Sequence, residues 1–229
     1  MENVVVVLCI LVTMVLLKII FKINFKKAKS MQENKKLEKI TDKFPENIEI
    51  AKEMLAMLKN DSVKIEEAKD TQTSLYIVAT NKISIADMKN NYARIQTIAH
   101  ECLHSIQDKT LLLFNFIFSN ITMLYLLIAI VLTLCNIIQN TMLQIFILTL
   151  LSFIKLAARG FLEIDAMTKA RYLAEKYITL KQKITDKEAE QLLEKYDEIN
   201  KMAIPGTLVA ITANSLLGIL GYAIIVVVL

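Results

Sequence analysis

Both histidines of this chain fall within one pentapeptide, His100-Glu101-Cys102-Leu103-His104. At i and i+4 on a helix, two imidazoles lie one turn apart on the same face, so both rings can reach a single Zn²⁺. Glu101 follows the first of them, where a carboxylate can take a proton from a water activated by the metal. This spacing predicts a helical metal site, with His100 and His104 as ligands and Glu101 as base. A hydrolytic zinc site needs a third protein ligand and one open position. The chain has no other histidine, so a carboxylate must serve.

The elements that must position these residues are apolar to an unusual degree. Hydrophobic residues make up 55% of the 229, and they are gathered in blocks. Residues 111–154 and 203–229 contain no Asp, Glu, Lys or Arg. Such runs exceed the ~20 residues needed to cross a hydrocarbon core. The expected fold class is therefore mainly α, a multi-pass membrane protein with about four spanning helices. The predicted organisation has an N-terminal spanning helix (1–21), then a region with the motif helix and a short β-hairpin (22–110). A transmembrane hairpin (111–158), further helices carrying the third ligand (159–202) and a last span (203–229) follow.

Within these, the spans run from Val4 to Phe21, Leu111 to Leu134, Thr141 to Ala158 and Ala203 to Val228. Asn136, Gln139 and Asn140 form a polar turn between the second and third. Pro205 and Gly206 fall in the first turn of the last span, where a proline costs no hydrogen bond. The first span does not read as a cleaved signal peptide, because no positive charge precedes it and Lys22, Lys26, Lys27 and Lys29 follow it. By the positive-inside rule those lysines and the Lys-rich 159–202 stretch face the cytoplasm, while the amino terminus and the 135–140 turn face outward. The motif would then act at the cytoplasmic membrane face.

That topology narrows the third ligand. The motif immediately precedes the hairpin of spans, which returns the chain to the same side near Arg159, where Glu163 and Asp165 are the first carboxylates. Two residues apart on a helix, they point about 200° from each other and cannot both face one metal. The reading favours Glu163, with Asp165 at the surface or bonded to a ligand. Asp108, one turn beyond His104, either accepts a hydrogen bond from an imidazole or ends a helix at the water boundary.

The remaining segments read as scaffold. Pro45 to Lys59 has helical periodicity, and Asp70 to Asp87 reads as a hairpin, with Leu75–Val78 and Ile83–Ile85 separated by Asn81-Lys82. A strand so close to the motif could pair with an extended peptide or serve only as a structural ribbon. Met167 to Lys183 continues as an amphipathic helix, and Thr185 with Glu188 forms a capping box opening a helix to about Lys201.

Three cysteines give no disulfide framework, and Cys102 reads as a small buried residue rather than a nucleophile. The net charge of +4 reflects a lysine collar beside the bilayer and calls for no nucleic-acid partner. Within the spans only Lys18 and Lys155, both near ends, are charged, which argues against an ion pathway.

The sequence His100-Glu101-Cys102-Leu103-His104-Ser105-Ile106-Gln107, with Glu163-Ile164-Asp165-Ala166 after a membrane hairpin, resembles the YugP-type bacterial membrane zinc metallopeptidases. The resemblance covers most of the chain. It implies a zincin-like catalytic region holding one Zn²⁺ per chain, with His100, His104 and Glu163 as ligands and Glu101 as general base. It implies hydrolysis of peptides or membrane-protein segments. This chain departs from the family's usual Gly before the second histidine, which is Leu103, and from its usual Asn two after the ligand Glu, which is Asp165. More distant membrane zincins carry an Asp at the position of Met167, so the group that orients the imidazoles is left open. Arg159, Arg171, Tyr172 and Tyr92 are candidates to stabilise an oxyanion. The alternative reading is a non-catalytic membrane scaffold with a structural or vestigial metal site.

Overall fold

A computed structural model describes residues 2–21, 34–68, 71, 73–88 and 91–229. Lys22, Lys26, Lys27, Lys29 and Asp70, used above, lie outside the described residues. The described chain forms seven α-helices and one small sheet. In order these are α1 (Glu2–Ile20), α2 (Lys35–Thr41), α3 (Asn47–Met57), β1 (Lys64–Ala68), β2 (Leu75–Ile77), a short 3-10 turn (Val78–Thr80), β3 (Lys82–Ala86), α4 (Arg94–His104), α5 (Lys109–Leu134), α6 (Thr141–Lys181) and α7 (Asp186–Val228). Four of them, α1, α5, α6 and α7, are long and apolar enough to cross a membrane.

The described residues divide into two compact units, one within Met1–Ile23, Phe114–Phe161 and Pro205–Leu229, the other within Asn24–Leu113 and Leu162–Ile204. In the first, Ile10, Ala129, Ile145, Leu148, Ile219, Tyr222 and Ala223 form a small core. Two polar contacts are satisfied inside it, Thr133 Oγ1 to Tyr222 Oη at 2.9 Å and Tyr125 Oη to Gln144 Oε1. Gly160 lets α7 approach, since a Cβ there would lie 2.9 Å from Leu208 Cδ2.

The second unit holds the larger core, built from α3, α4, the sheet and the 162–204 portions of α6 and α7. The sheet order is β1-β3-β2, with β1 parallel and β2 antiparallel to β3. The expected hairpin is present as β2 and β3, with Asn81 in the left-handed region at φ 48° closing the turn. Asparagine tolerates that conformation because its short amide bonds locally. Here Asn81 Oδ1 accepts from Tyr76 Oη at 2.8 Å and its Nδ2 donates to the Ser62 carbonyl at 3.1 Å. β3 is central and buried, with Ile83 and Ile85 both fully covered. β1 and α2 were not expected from the sequence.

Two expected boundaries are corrected. The two helices expected in 159–202 are present but not separate from the spans: α6 runs unbroken from the third span through Lys181, and α7 unbroken from Asp186 into the fourth. Pro205 therefore sits inside α7, not in a first turn. Hydropathy falls at residue 159, but the helical backbone continues through Gly160 while its surroundings change. The proline lacks one N–H, and the cost is a single missing rung within a long helix. The capping box at its start is present as expected, with Glu188 N donating to Thr185 Oγ1 at 3.3 Å and Thr185 N to Glu188 Oε2 at 2.9 Å.

Candidate metal centre

Helix α4 carries the motif, and its two ends are fixed by side chains the sequence reading passed over. At its start Arg94 is 2% exposed, and its guanidinium donates to the carbonyls of Thr41 (2.7 Å), Phe44 (3.0 Å) and Pro45 (2.8 Å) and to Asn47 Oδ1 (2.9 Å). One arginine thus ties the motif helix to the connection between α2 and α3. At its end, Ser105 Oγ donates to the Cys102 carbonyl at 2.6 Å, and Asn60 Nδ2 donates to the Ser105 carbonyl at 3.1 Å. Carbonyls that a helix end leaves unpaired are satisfied in this way. Between the ends, Ile95, Ile98, Ala99 and Cys102 are buried in the core.

The i, i+4 geometry holds. The two imidazole centroids are 4.5 Å apart, edge to face, and His100 Nε2 lies 3.0 Å from His104 Nε2. Glu163 of α6 joins them, its Oε2 lying 3.4 Å from His100 Nε2 and 3.8 Å from His104 Nε2. A tetrahedral zinc site with bonds of roughly 2.0–2.1 Å has ligand-to-ligand edges of about 3.3 Å. The three atoms approximate such a triangle, and two imidazoles with one carboxylate are ligands zinc accepts, so the residues fit the metal.

Electrostatics agree with the geometry. Burial works against ionisation of Glu163, but hydrogen bonds with His100 and His104 outweigh it and hold the carboxyl far below its ordinary range. Burial likewise opposes a charge on His104, yet its bond with Glu163 and the nearby Glu101 carboxylate raise it overall. Glu101 is 6% exposed, and burial pushes its carboxyl up despite the two imidazoles and a hydrogen bond from the Tyr76 backbone. Tyr76 belongs to β2, so the sheet edge lies beside the base.

The structure brings His100, His104, Glu163 and Glu101 together. Asp165 stands outside that triangle: it accepts from Gln107 Nε2 at 3.0 Å and pairs with Lys169 at 2.5 Å. Gln107 is the residue the sequence reading missed. Its Oε1 lies 2.8 Å from His104 Nδ1, and its Nε2 also donates to the Leu162 carbonyl at 2.8 Å. Asp108 neither holds an imidazole nor ends α4; its Oδ1 caps α5 by accepting from Leu111 N at 2.7 Å. Cys102 is fully buried and its thiol is pushed far up by burial, which suits packing and not nucleophilic attack. Leu103 lies in the core at 5% exposure. Among the oxyanion candidates, Arg171 is engaged by Asp197 at 3.1 Å and by Glu175, with its guanidinium over the Tyr172 ring. Tyr92 is buried, and its carbonyl accepts from Tyr196 Oη at 2.9 Å. No family model matches the chain, and neither a curated protein nor a solved structure matches it.

Proposed function

We propose that this chain is a multi-pass membrane zinc peptidase that hydrolyses peptide bonds of peptide or membrane-protein substrates at the cytoplasmic membrane face. The observation that carries the reading is the His100, His104 and Glu163 triangle, with Glu101 buried beside it on the same helix. The four apolar helices support the membrane placement. The lysines that follow the first span support the cytoplasmic side.

In this reading His100, His104 and Glu163 hold one Zn²⁺. Bound zinc supplies a Lewis acid that polarises a scissile carbonyl and acidifies water. Glu101 accepts the proton of the attacking water and passes it to the leaving amine. Its burial suits that work, because burial raises the carboxylate's affinity for a proton. The resemblance of the motif and of Glu163-Ile164-Asp165-Ala166 to the YugP-type metallopeptidases supports the same assignment.

The test is elemental analysis of zinc per chain in detergent-purified protein. One zinc in the wild type, lost in Glu163→Ala and kept in Asp165→Ala, is the expected result. No metal in the wild type after zinc is supplied would overturn the peptidase reading and leave a scaffold.

A further inference from the structure

We propose that Gln107 is the positioning residue of this centre, fixing His104 as the Nδ1–H tautomer so that its Nε2 is the ring nitrogen left to bind a ligand. Only the metal-affinity arm of the test below rests on the zinc reading.

The inference follows from what each atom can and cannot do. A primary amide has one end that only accepts and one that only donates. One end of the Gln107 amide lies 2.8 Å from the Leu162 carbonyl and 3.0 Å from Asp165 Oδ2. A backbone carbonyl only accepts, and an ionised carboxylate only accepts, so that end must be the NH₂. A hydrogen position or an amide orientation is ordinarily an assignment. Here two independent acceptors leave one choice. The other end is therefore the oxygen, 2.8 Å from His104 Nδ1. Since that oxygen cannot donate, Nδ1 must carry the proton, and a neutral imidazole then has its lone pair at Nε2. Nε2 is the atom that faces His100 and Glu163. Reversing the amide would set oxygen against two acceptors and lose both of those hydrogen bonds, with the contact to His104 kept only by the opposite tautomer.

Helix α6 thus contributes twice. It supplies Glu163, and through the Leu162 carbonyl and Asp165 on either side it orients the amide that orients His104. A helical carbonyl can do so without leaving its own helix, because it has a second lone pair. The tight turn after α4 makes this possible, with Gln107 N donating to the His104 carbonyl at 3.3 Å and folding the side chain back over the ring.

The experiment uses the full chain in detergent, labelled with ¹⁵N at histidine and stripped of metal. Long-range ¹H–¹⁵N correlation at a pH where the rings are neutral reads the tautomer directly. His104 is expected as Nδ1–H in the wild type and shifted toward the Nε2–H form in Gln107→Met. Zinc affinity of Gln107→Met should fall by roughly 10–100-fold. A wild-type His104 protonated at Nε2, or a Gln107→Met variant with unchanged tautomer and affinity, would overturn the proposal. Absence of zinc binding in the wild type would sink the metal reading alone, with the tautomer still deciding the role of Gln107. If Gln107→Met fails to fold, the wild-type tautomer decides it.

Discussion

At the scale of single residues, Glu101 and Glu163 are both acids near the same two imidazoles, and burial and partners separate them. Glu163 is held ionised by two ring nitrogens, whereas burial raises Glu101. Glu101→Gln is therefore expected to keep one zinc per chain while lowering peptide hydrolysis by at least about 10²-fold, checked by metal analysis beside turnover. Retained hydrolysis would remove Glu101 from the base role. The metal-free site has its own pH behaviour. His104 is raised above its ordinary value, so its contribution to stability is complete below roughly pH 6.5 and lost as pH rises through the raised value. Glu163 is depressed, so its contribution is present above roughly pH 4 and lost only in stronger acid. Zinc must displace the second proton, the one a charged His104 carries at Nε2. Binding is thus expected to release protons and tighten as pH rises through that range, which calorimetry in buffers of different ionisation heat would measure.

The elements differ in how far the sequence disclosed them. The motif helix was legible because two histidines at i and i+4 state their own geometry, and Glu163 because a hairpin of spans returns it to the same side. β1 was not: Lys64-Ile65-Glu66-Glu67-Ala68 has a single β-branched residue and pairs in parallel with a strand beyond β2, so nothing local announces it. Arg94 and Gln107 were hidden for a related reason. Arg94 bonds mainly to backbone carbonyls, which have no residue type to read, and Gln107 reaches a carbonyl and a carboxylate 55 and 58 residues away. The continuity of α6 and α7 was hidden because hydropathy reports a helix's surroundings and not its hydrogen-bond ladder. Arg94 carries the element-scale prediction. Replacing it with Met leaves several buried acceptors without a donor and is expected to cost about 3 kcal/mol, seen as an earlier thermal transition by circular dichroism. An unchanged transition would mean that water or another donor takes its place.

For the whole molecule, the four apolar helices set a topology that chemistry can read. With Cys9, Cys102 and Cys135 replaced by alanine, Asn140→Cys is expected to react with an impermeant maleimide on intact cells. Lys187→Cys should react only after permeabilisation. The reverse pattern would place the motif outside.

Three residues is a short edge for a sheet, and β2 has no more. At about 3.3 Å per residue it offers roughly 10 Å of backbone. A peptide laid along it would be gripped through only two or three amides, and the Tyr76 N–H is already shared with Glu101. So brief a grip gives weak affinity and little power to discriminate sequences. On the proposed peptidase reading, confinement would then do what contact does not: a substrate segment anchored in the same bilayer would arrive at high effective concentration. Selection by proximity would outweigh selection by sequence.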